Sequence, residues 1–144
     1  MHKPLAKIID RGNDPTGYGH FGAKRGSRKH RGHDIVSIPG ESVVSMIEGT
    51  VTKIGYPYSG SAASHLRYVE VSNDTYRIRL MYLTPTDKIK VGDYVCEGDR
   101  IGYASEIAKY HNRNKKKGQA LMINHTHVEL YKNGILIDPK PYLS

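Results

Sequence analysis

The chain of 144 residues is long enough to bury one hydrophobic core, and we expect a single domain. Its 22 Lys and Arg residues outnumber its 14 Asp and Glu residues, so the formal net charge is +8 and anionic partners are favoured. The single cysteine, Cys96, excludes an internal disulfide and a cysteine-rich zinc site, so a metal site would have to use histidine and carboxylate ligands.

No apolar run approaches the roughly 20 residues that a transmembrane helix needs, so we expect no membrane span. The N-terminal segment "MHKPLAKIIDRGNDP" has charges within its only apolar patch and no small-residue cleavage site, so we expect no secretory signal. The protein is then either not exported by that route or a mature fragment, and the compartment stays open. The eleven tyrosines are scattered and form no nucleic-acid signature, so binding of nucleic acid is not predicted.

Short β-branched runs punctuated by glycine follow one another along the chain, and several of them alternate with a period of two. These runs predict strands at residues 34–38, 42–55, 67–72, 75–83, 99–104 and 126–131. Only the segment "SEIAKYHNR", residues 105–113, has a pattern that favours a helical turn or two. We therefore predict an all-β domain, a small sandwich or a partly closed barrel.

Turn residues separate these predicted strands. Asn73 and Asp74 lie between two of them and predict a hairpin. Gly92, Gly98 and Gly102 surround two short apolar segments, which predict a second compact hairpin. Residues 11–33, 56–66 and 112–119 are predicted loops, and two of them carry the basic runs "KRGSRKHR" and "NRNKKKGQ", for which solvated surface is the simplest interpretation.

The segment "NHTHVEL", residues 124–130, has two histidines on either side of one threonine. In a strand, His125 and His127 point to the same face about 6.7 Å apart along the chain, and Glu129 follows them. The intervening residues point the other way and are apolar enough to form the core side. The histidine pair is therefore either a candidate for metal chemistry or an exposed pair without a function.

A second cluster is the sequence "HRGHD", residues 30–34. In an extended chain His30 and Asp34 would lie about 13 Å apart, too far to share one ion. Gly32 permits a turn that would bring them together. With a histidine of "NHTHVEL" they would supply three ligands and leave a fourth position open, as in a catalytic zinc site. His33 could replace either neighbour or be exposed.

The motifs "HRGHD", "GTV", "VGDYVCEGDRIGYA", "HTHVEL" and "NGILIDPKPYL" occur in this order over about residues 17–143. In that order they resemble the LytM and lysostaphin type of zinc endopeptidase, which cuts peptide cross-links of bacterial cell walls. The resemblance implies a small antiparallel sheet or sandwich, the duplicated hybrid motif, with long loops around a zinc groove in residues 17–144. Residues 1–16 would form an N-terminal arm. The implied zinc ligands are His30, Asp34 and His127, and His125 would be the general base beside the metal.

The sequence departs from the family's pattern at Tyr82, where a further catalytic histidine usually stands. A protonated phenol can donate a hydrogen bond to a tetrahedral oxyanion, so Tyr82 is a candidate catalytic residue, and packing at the pocket rim is the alternative. With a tyrosine at this position, the sequence resembles the leukocyte cell-derived chemotaxin branch of the family, which keeps the zinc but is regarded as lacking peptidase activity. The short Ser-Thr-Gly loop of the family is replaced by a longer stretch, residues 105–124.

Taken together, these features predict a zinc-dependent endopeptidase for peptidoglycan peptides, acting in the extracellular or periplasmic space or carried in a phage virion. The alternative is a zinc-binding domain without turnover that acts as a structural or wall-binding module. Basic residues around His30, together with Lys115 to Lys117, would attract anionic cell-wall polymer or acidic stem-peptide groups. Glu129 is expected to be a solvated carboxylate, with the orientation of a histidine ring as the other interpretation.

Overall fold

A computed structural model describes residues 1–60 and 63–143 of the chain. Two short hairpins come first, β1 (Asn13–Asp14) with β2 (Gly17–Tyr18) and β3 (Lys24–Arg25) with β4 (Arg28–Lys29). One nine-stranded sheet follows, formed by β5 (His33–Val36), β6 (Ser42–Val44), β7 (Gly49–Gly55), β8 (Arg67–Ser72), β9 (Tyr76–Pro85), β10 (Tyr94–Val95), β11 (Arg100–Ala104), β12 (His125–Lys132) and β13 (Ile135–Ile137). Helix α1 (Ile107–His111) lies between β11 and β12, and a 3-10 helix (Lys140–Tyr142) follows β13.

The strand pairs of the main sheet are all antiparallel, which confirms the predicted all-β antiparallel fold. Strand β9 is the longest and pairs with β8, β12 and β11. Strand β12 lies between β9 on one side and β5 on the other. The predicted hairpin at Asn73 is also confirmed, because the Asn73 Oδ1 atom accepts hydrogen bonds from the backbone N–H groups of Thr75 and Tyr76 between β8 and β9.

The predicted second hairpin, around Gly92, Gly98 and Gly102, is wrong. Strand β10 pairs with β7, whereas β11 pairs with β9 and β6, so the two short strands do not pair with each other. Gly102 permits the close approach of β11 to β9, because an added Cβ atom would lie 2.6 Å from the carbonyl oxygen of Thr84. The apolar pattern located both strands, but the contacts of distant strands chose their partners.

The main core lies on one face of the sheet and contains the side chains that the period-two pattern turns inward. On β12 these are Thr126, Val128 and Leu130, which are fully buried as predicted. A second, smaller cluster lies on the other side of β9, under α1, and contains Ala63, Leu66, Tyr82, Ile107, Ala108 and Met122. This second cluster supports the groove in which the histidines lie.

The N-terminal arm packs onto the sheet. Leu5 belongs to the main core, and the backbone N–H of His2 donates to the carbonyl oxygen of Met46. The boundary between residues 16 and 17 stays a prediction. Within residues 1–60 and 63–143, no helix has the length and apolar content that crossing a membrane requires.

Candidate metal centre

Three predicted ligands meet on the face of the sheet opposite the main core. Asp34 lies on β5 directly beside His127 on β12, because the register of the two strands pairs these residues. The Asp34 Oδ1 atom is 2.9 Å from His127 Nδ1 and 3.4 Å from His30 Nε2, and the two ring nitrogens are 3.1 Å apart. The three residues thus form a group that could hold a metal ion, with all ligand atoms within 4.8 Å of one another.

The turn that was expected at Gly32 brings His30 over Asp34. An added Cβ atom at Gly32 would clash with the carbonyl oxygen of Val128 and would lie 2.7 Å from His127 Nε2. Only glycine therefore lets the chain pass so close to β12. In an extended chain His30 and Asp34 would lie about 13 Å apart. The turn at Gly32 brings their side chains within 3.4 Å of each other.

The hydrogen bonds of the histidine rings fix which nitrogen of each ring faces the centre. A carbonyl oxygen can only accept, so His30 donates its Nδ1–H to the carbonyl of His20 at 3.0 Å and directs Nε2 to the centre. His127 donates its Nε2–H to the Glu129 carboxylate at 3.2 Å and directs Nδ1 to the centre. Each histidine thus presents one nitrogen that can bind a metal ion.

Glu129 is not the solvated carboxylate that was expected. Its side chain is buried, Arg79 lies opposite it on β9, and the Nε atom of Arg31 is 3.9 Å from its carboxylate. The period-two pattern put Glu129 on the correct face, but it did not show that loops from other parts of the chain cover that face. The second interpretation, in which Glu129 orients a histidine ring, agrees with the observed hydrogen bond.

His125 lies beside the three ligand candidates but is not one of them. It donates Nδ1–H to the carbonyl of Ile123 at 2.8 Å, and its free Nε2 atom is 3.6 Å from Asp34 Oδ2. Burial lowers the pKa of His125 to about 4, in spite of the nearby Asp34 carboxylate. The ring is therefore neutral at pH 7, and its Nε2 atom carries no proton.

Arg11 holds the second oxygen of Asp34, a contact that the sequence did not suggest. Its buried guanidinium donates from Nε to Asp34 Oδ2 at 3.2 Å and forms an ion pair with Asp14. Oδ1 is thereby left for the two ring nitrogens. Burial alone would raise the pKa of Asp34, but hydrogen bonds from His127 and His30 keep it far below the usual value of 3.8. Nothing in the N-terminal sequence marks Arg11 as a partner of a residue 23 positions away.

Tyr82 lines the same groove from β9. It is the extra residue of a β-bulge, because Arg67 and Tyr68 of β8 pair with its two neighbours, and its φ angle is +71°. A tyrosine in this backbone conformation is uncommon and costs on the order of 1–3 kcal/mol. The bulge turns the ring towards the histidines, and its centroid is 5.4 Å from that of His125. Burial raises the pKa of Tyr82 well above 10, so the hydroxyl stays protonated.

Three other histidines lie outside the group of ligand candidates. The side chain of His33 points away from the centre, and its Nε2 atom is 2.7 Å from the Asp10 carboxylate. The backbone carbonyl of His20 accepts the hydrogen bond from His30, and the His20 ring lies against Tyr18. His111 lies near Tyr58 at the end of α1.

These residues line a groove of about 600 Å³. Its cationic side chains outnumber the two carboxylates, Asp34 and Glu129, and come mostly from the β3–β4 hairpin and its flanks: Arg11, Arg25, Arg28, Lys29, Arg31 and Arg79. The groove therefore carries a positive charge even without a metal ion, and it favours an anionic or electron-rich ligand.

Residues 28–139, which contain all three ligand candidates and His125, match the model of "Peptidase family M23". The chain belongs to peptidase family M23. The resemblance to LytM and lysostaphin-type peptidases is thereby confirmed. The chain therefore belongs to a family of peptidases, and the position of its histidine centre in a groove agrees with this assignment.

Several solved structures have the same fold. Helicobacter pylori Csd3 is 21% identical with a TM-score of 0.64 over 99% of this chain and 34% of its own. A zinc-containing peptidase of Vibrio cholerae is 20% identical with a TM-score of 0.56 over 99% of this chain and 36% of its own. The catalytic domain of Staphylococcus simulans lysostaphin is 24% identical with a TM-score of 0.57 over 91% and 92%. This M23 chain thus spans about a third of the first two proteins.

Proposed function

We propose that this M23 chain is a zinc-dependent endopeptidase that cleaves cross-links or stem peptides of bacterial peptidoglycan. The observation that carries the proposal is the convergence of His30, Asp34 and His127 with a fourth, neutral histidine, His125, beside them. Zinc ligand bonds of about 2.0–2.2 Å in a tetrahedron separate the ligand atoms by about 3.3–3.6 Å. The observed separations of 2.9, 3.1 and 3.4 Å are close to that range, so the donor set fits zinc.

Bound zinc would supply a Lewis acid that polarises the scissile carbonyl and lowers the pKa of water towards about 7. Other residues of the chain would orient the ligands of this zinc ion. Glu129 and the His20 carbonyl fix the two histidine rings, and Arg11 fixes the carboxylate of Asp34. The zinc-containing Vibrio cholerae peptidase of the same fold supports the choice of metal.

His125 acts as the general base in this proposal. Its Nε2 atom has no proton at pH 7, because Nδ1–H is committed to the Ile123 carbonyl and burial keeps the pKa low. It takes a proton from the attacking water and then gives that proton to the leaving amine. The Tyr82 hydroxyl donates a hydrogen bond to the oxyanion of the tetrahedral intermediate, and such a donor raises kcat by roughly 10²–10³-fold.

The basic side chains of the groove attract anionic groups of the wall, either acidic groups of the stem peptide or an anionic polymer attached to it. Arg28 and Lys29 are exposed on β4, directly before His30, and neither is among the ion pairs of residues 1–60 and 63–143. Because peptidoglycan lies outside the cytoplasmic membrane, we propose that the protein acts in the extracellular or periplasmic space or is carried in a phage virion.

A zinc assay combined with digestion of purified peptidoglycan tests this function. Wild-type protein with one zinc ion should release free amino groups from cross-linked peptidoglycan, and His125→Ala should keep the zinc and lose the release. Loss of the zinc in His125→Ala would instead make His125 a ligand. A zinc-loaded wild type that never opens peptidoglycan or Gly-rich peptides, under conditions where a family member with the usual histidine does, would overturn the proposal.

A zinc-binding domain without turnover is the second candidate, and the hydroxyl of Tyr82 is the observation that favours it. That hydroxyl lies 3.0 Å from the hydroxyl of Tyr58. If Tyr82 donates its single O–H to Tyr58, it has no hydrogen-bond donor left for an oxyanion. In that case Tyr82→His should create activity in an inactive protein, whereas high activity of the wild type would exclude this candidate.

A further inference from the structure

A chain of three polar side chains leads away from the centre through Tyr82. The Tyr82 hydroxyl is 3.0 Å from the Tyr58 hydroxyl, and the Tyr58 hydroxyl is 3.3 Å from His111 Nε2. Tyr58 belongs to the loop after β7, and His111 ends helix α1. Both segments lie outside the motifs "HRGHD" and "HTHVEL", and α1 belongs to the long stretch that replaces the family's short loop.

Ring contacts hold the chain in place. The rings of Tyr58 and Tyr82 are nearly parallel, with an interplanar angle of 17° and centroids 6.0 Å apart. Tyr110 stacks on Tyr58 with centroids 5.7 Å apart, and the His111 ring meets Tyr58 edge-on. Stacked rings of this kind restrict ring rotation, so the three polar atoms stay near one another.

The number of protons decides what Tyr82 can do. Each phenol has one O–H, so Tyr82 can donate into the groove only when Tyr58 donates to Tyr82. Tyr58 can then accept from His111 only if His111 carries its proton on Nε2. In the opposite direction, Tyr82 donates to Tyr58, Tyr58 donates to His111, and no proton faces the groove. The direction of the chain therefore determines whether Tyr82 is a donor.

The negative charge that develops on the reacting carbonyl favours the direction in which Tyr82 donates its hydrogen bond into the groove. Burial lowers the pKa of His111 and nearby Arg113 lowers it further, so the ring is neutral and carries a single proton. Hydrogen bonds in series polarise one another, so a negative charge that develops near Tyr82 strengthens every donation towards it. The same charge would weaken the opposite direction.

We propose that Tyr58 and His111 are positioning residues that make Tyr82 a hydrogen-bond donor to the reacting carbonyl, with His111 Nε2–H donating to Tyr58 and Tyr58 donating to Tyr82. The proposal rests on the peptidase function proposed above. It assigns a function in catalysis to His111, which belongs to the long stretch of residues 105–124 before β12. No proton is consumed along the chain, because the three groups only hold one another's hydrogen bonds.

Removal of the Tyr58 hydroxyl is the first test. Tyr58→Phe keeps the stacked ring and should lower kcat about tenfold on cross-linked muropeptides, with little change in KM, as for other partners that orient a reacting group. Tyr110→Phe is the matched control, because Tyr110 belongs to the same ring stack and its hydroxyl makes no hydrogen bond within residues 1–60 and 63–143. Its kcat should equal that of the wild type.

Double variants show whether Tyr58 acts through Tyr82. In a Tyr82→Phe background, Tyr58→Phe should cause no further loss of kcat, because the group that it positions is absent. His111→Gln can place an amide N–H where Nε2–H lies and should keep most of the activity, whereas His111→Leu should match Tyr58→Phe. Equal kcat for Tyr58→Phe and Tyr110→Phe, or additive losses in the double variant, would overturn the proposal.

Nuclear magnetic resonance gives a measurement that does not depend on turnover. Long-range ¹⁵N–¹H spectra of the zinc-loaded wild type should show the proton of His111 on Nε2 at pH 7.5. A proton on Nδ1 would overturn the proposal even in an active enzyme. If the zinc-loaded wild type cleaves nothing, the peptidase function fails, and the His111 tautomer alone then decides whether the hydrogen-bond chain runs towards Tyr82.

Discussion

Replacement of Glu129 by glutamine tests whether its carboxylate orients His127 as a metal ligand. The Glu129 side chain is 4% exposed, and its Oε1 atom is 3.2 Å from His127 Nε2. Glutamine keeps the size of the side chain and an acceptor oxygen but removes the negative charge. The Nε2–H group is then held more weakly, and Nδ1 on the other side of the ring becomes a less basic ligand.

The expected effect is a rise in the zinc Kd of about 10- to 100-fold, or about 1.4–2.7 kcal/mol. A proton competes with zinc at the same ring. Burial alone would lower the pKa of His127, but Asp34 and Glu129 raise it to about 9 in the metal-free protein. Zinc must therefore displace a proton at pH 7. Because the variant loses part of that raised pKa, the ratio of variant to wild-type Kd should be smaller at pH 7 than at pH 9.

Competition with a fluorescent zinc chelator at pH 7 and pH 9 measures these constants. Glu70→Gln is the matched control, because Glu70 is equally buried on β8 and hydrogen-bonds to Arg79, with no contact to His127. Its zinc Kd should stay close to that of the wild type, although its unfolding free energy falls. An unchanged Kd for Glu129→Gln at pH 9, or an equal rise in both variants, would refute the reasoning.

Three further predictions concern the turn, the N-terminal arm and the groove. Gly32→Ala should abolish zinc binding and lower the unfolding free energy by about 1–3 kcal/mol in urea titrations, whereas Gly118→Ala, with open space around it, should keep the zinc. Burial by itself would raise the pKa of Asp14, but the hydrogen bond from Arg11 lowers that pKa to about 2. The ionised Asp14 therefore adds to the unfolding free energy above pH 3.8, and this contribution disappears as the pH falls through 2. Acid titration of Asp14→Asn should lack that loss of stability. Arg28→Gln should lower kcat/KM on peptidoglycan and flatten its dependence on ionic strength, whereas Lys88→Gln, away from the groove, should do neither.

Much of the strand pattern was readable from the sequence. The predicted strands at 67–72, 75–83 and 126–131 overlap β8, β9 and β12, because alternation of apolar and polar residues is a local property of a half-buried strand. The same alternation correctly put His125, His127 and Glu129 on one face of β12. The motifs "HRGHD" and "HTHVEL" marked the candidates, and the family resemblance that they carry implied His30, Asp34 and His127, the three residues that the fold brings together.

The partners of the strands were not readable in the same way. The pattern around Gly92 to Gly102 marked two short strands but not the fact that they pair with β7, β9 and β6. Pairing depends on which distant edge is free and on where glycine allows close approach, and neither is visible in a window of ten residues. The β-bulge at Tyr82 is similar, because it exists only relative to the register of β8.

By itself, the sequence determined that one cysteine cannot form an internal disulfide or a cysteine-rich zinc site, that the chain forms an antiparallel β domain, and that His30, Asp34, His125 and His127 are the residues to consider. Only the tertiary structure decided how they are held. Arg11, Glu129 and the Tyr58–His111 pair come from segments far from one another in the chain, and their roles depend on burial and on distances of about 3 Å across the fold. Hydrogen bonds at that range require a register and a backbone path, which a list of residues does not contain.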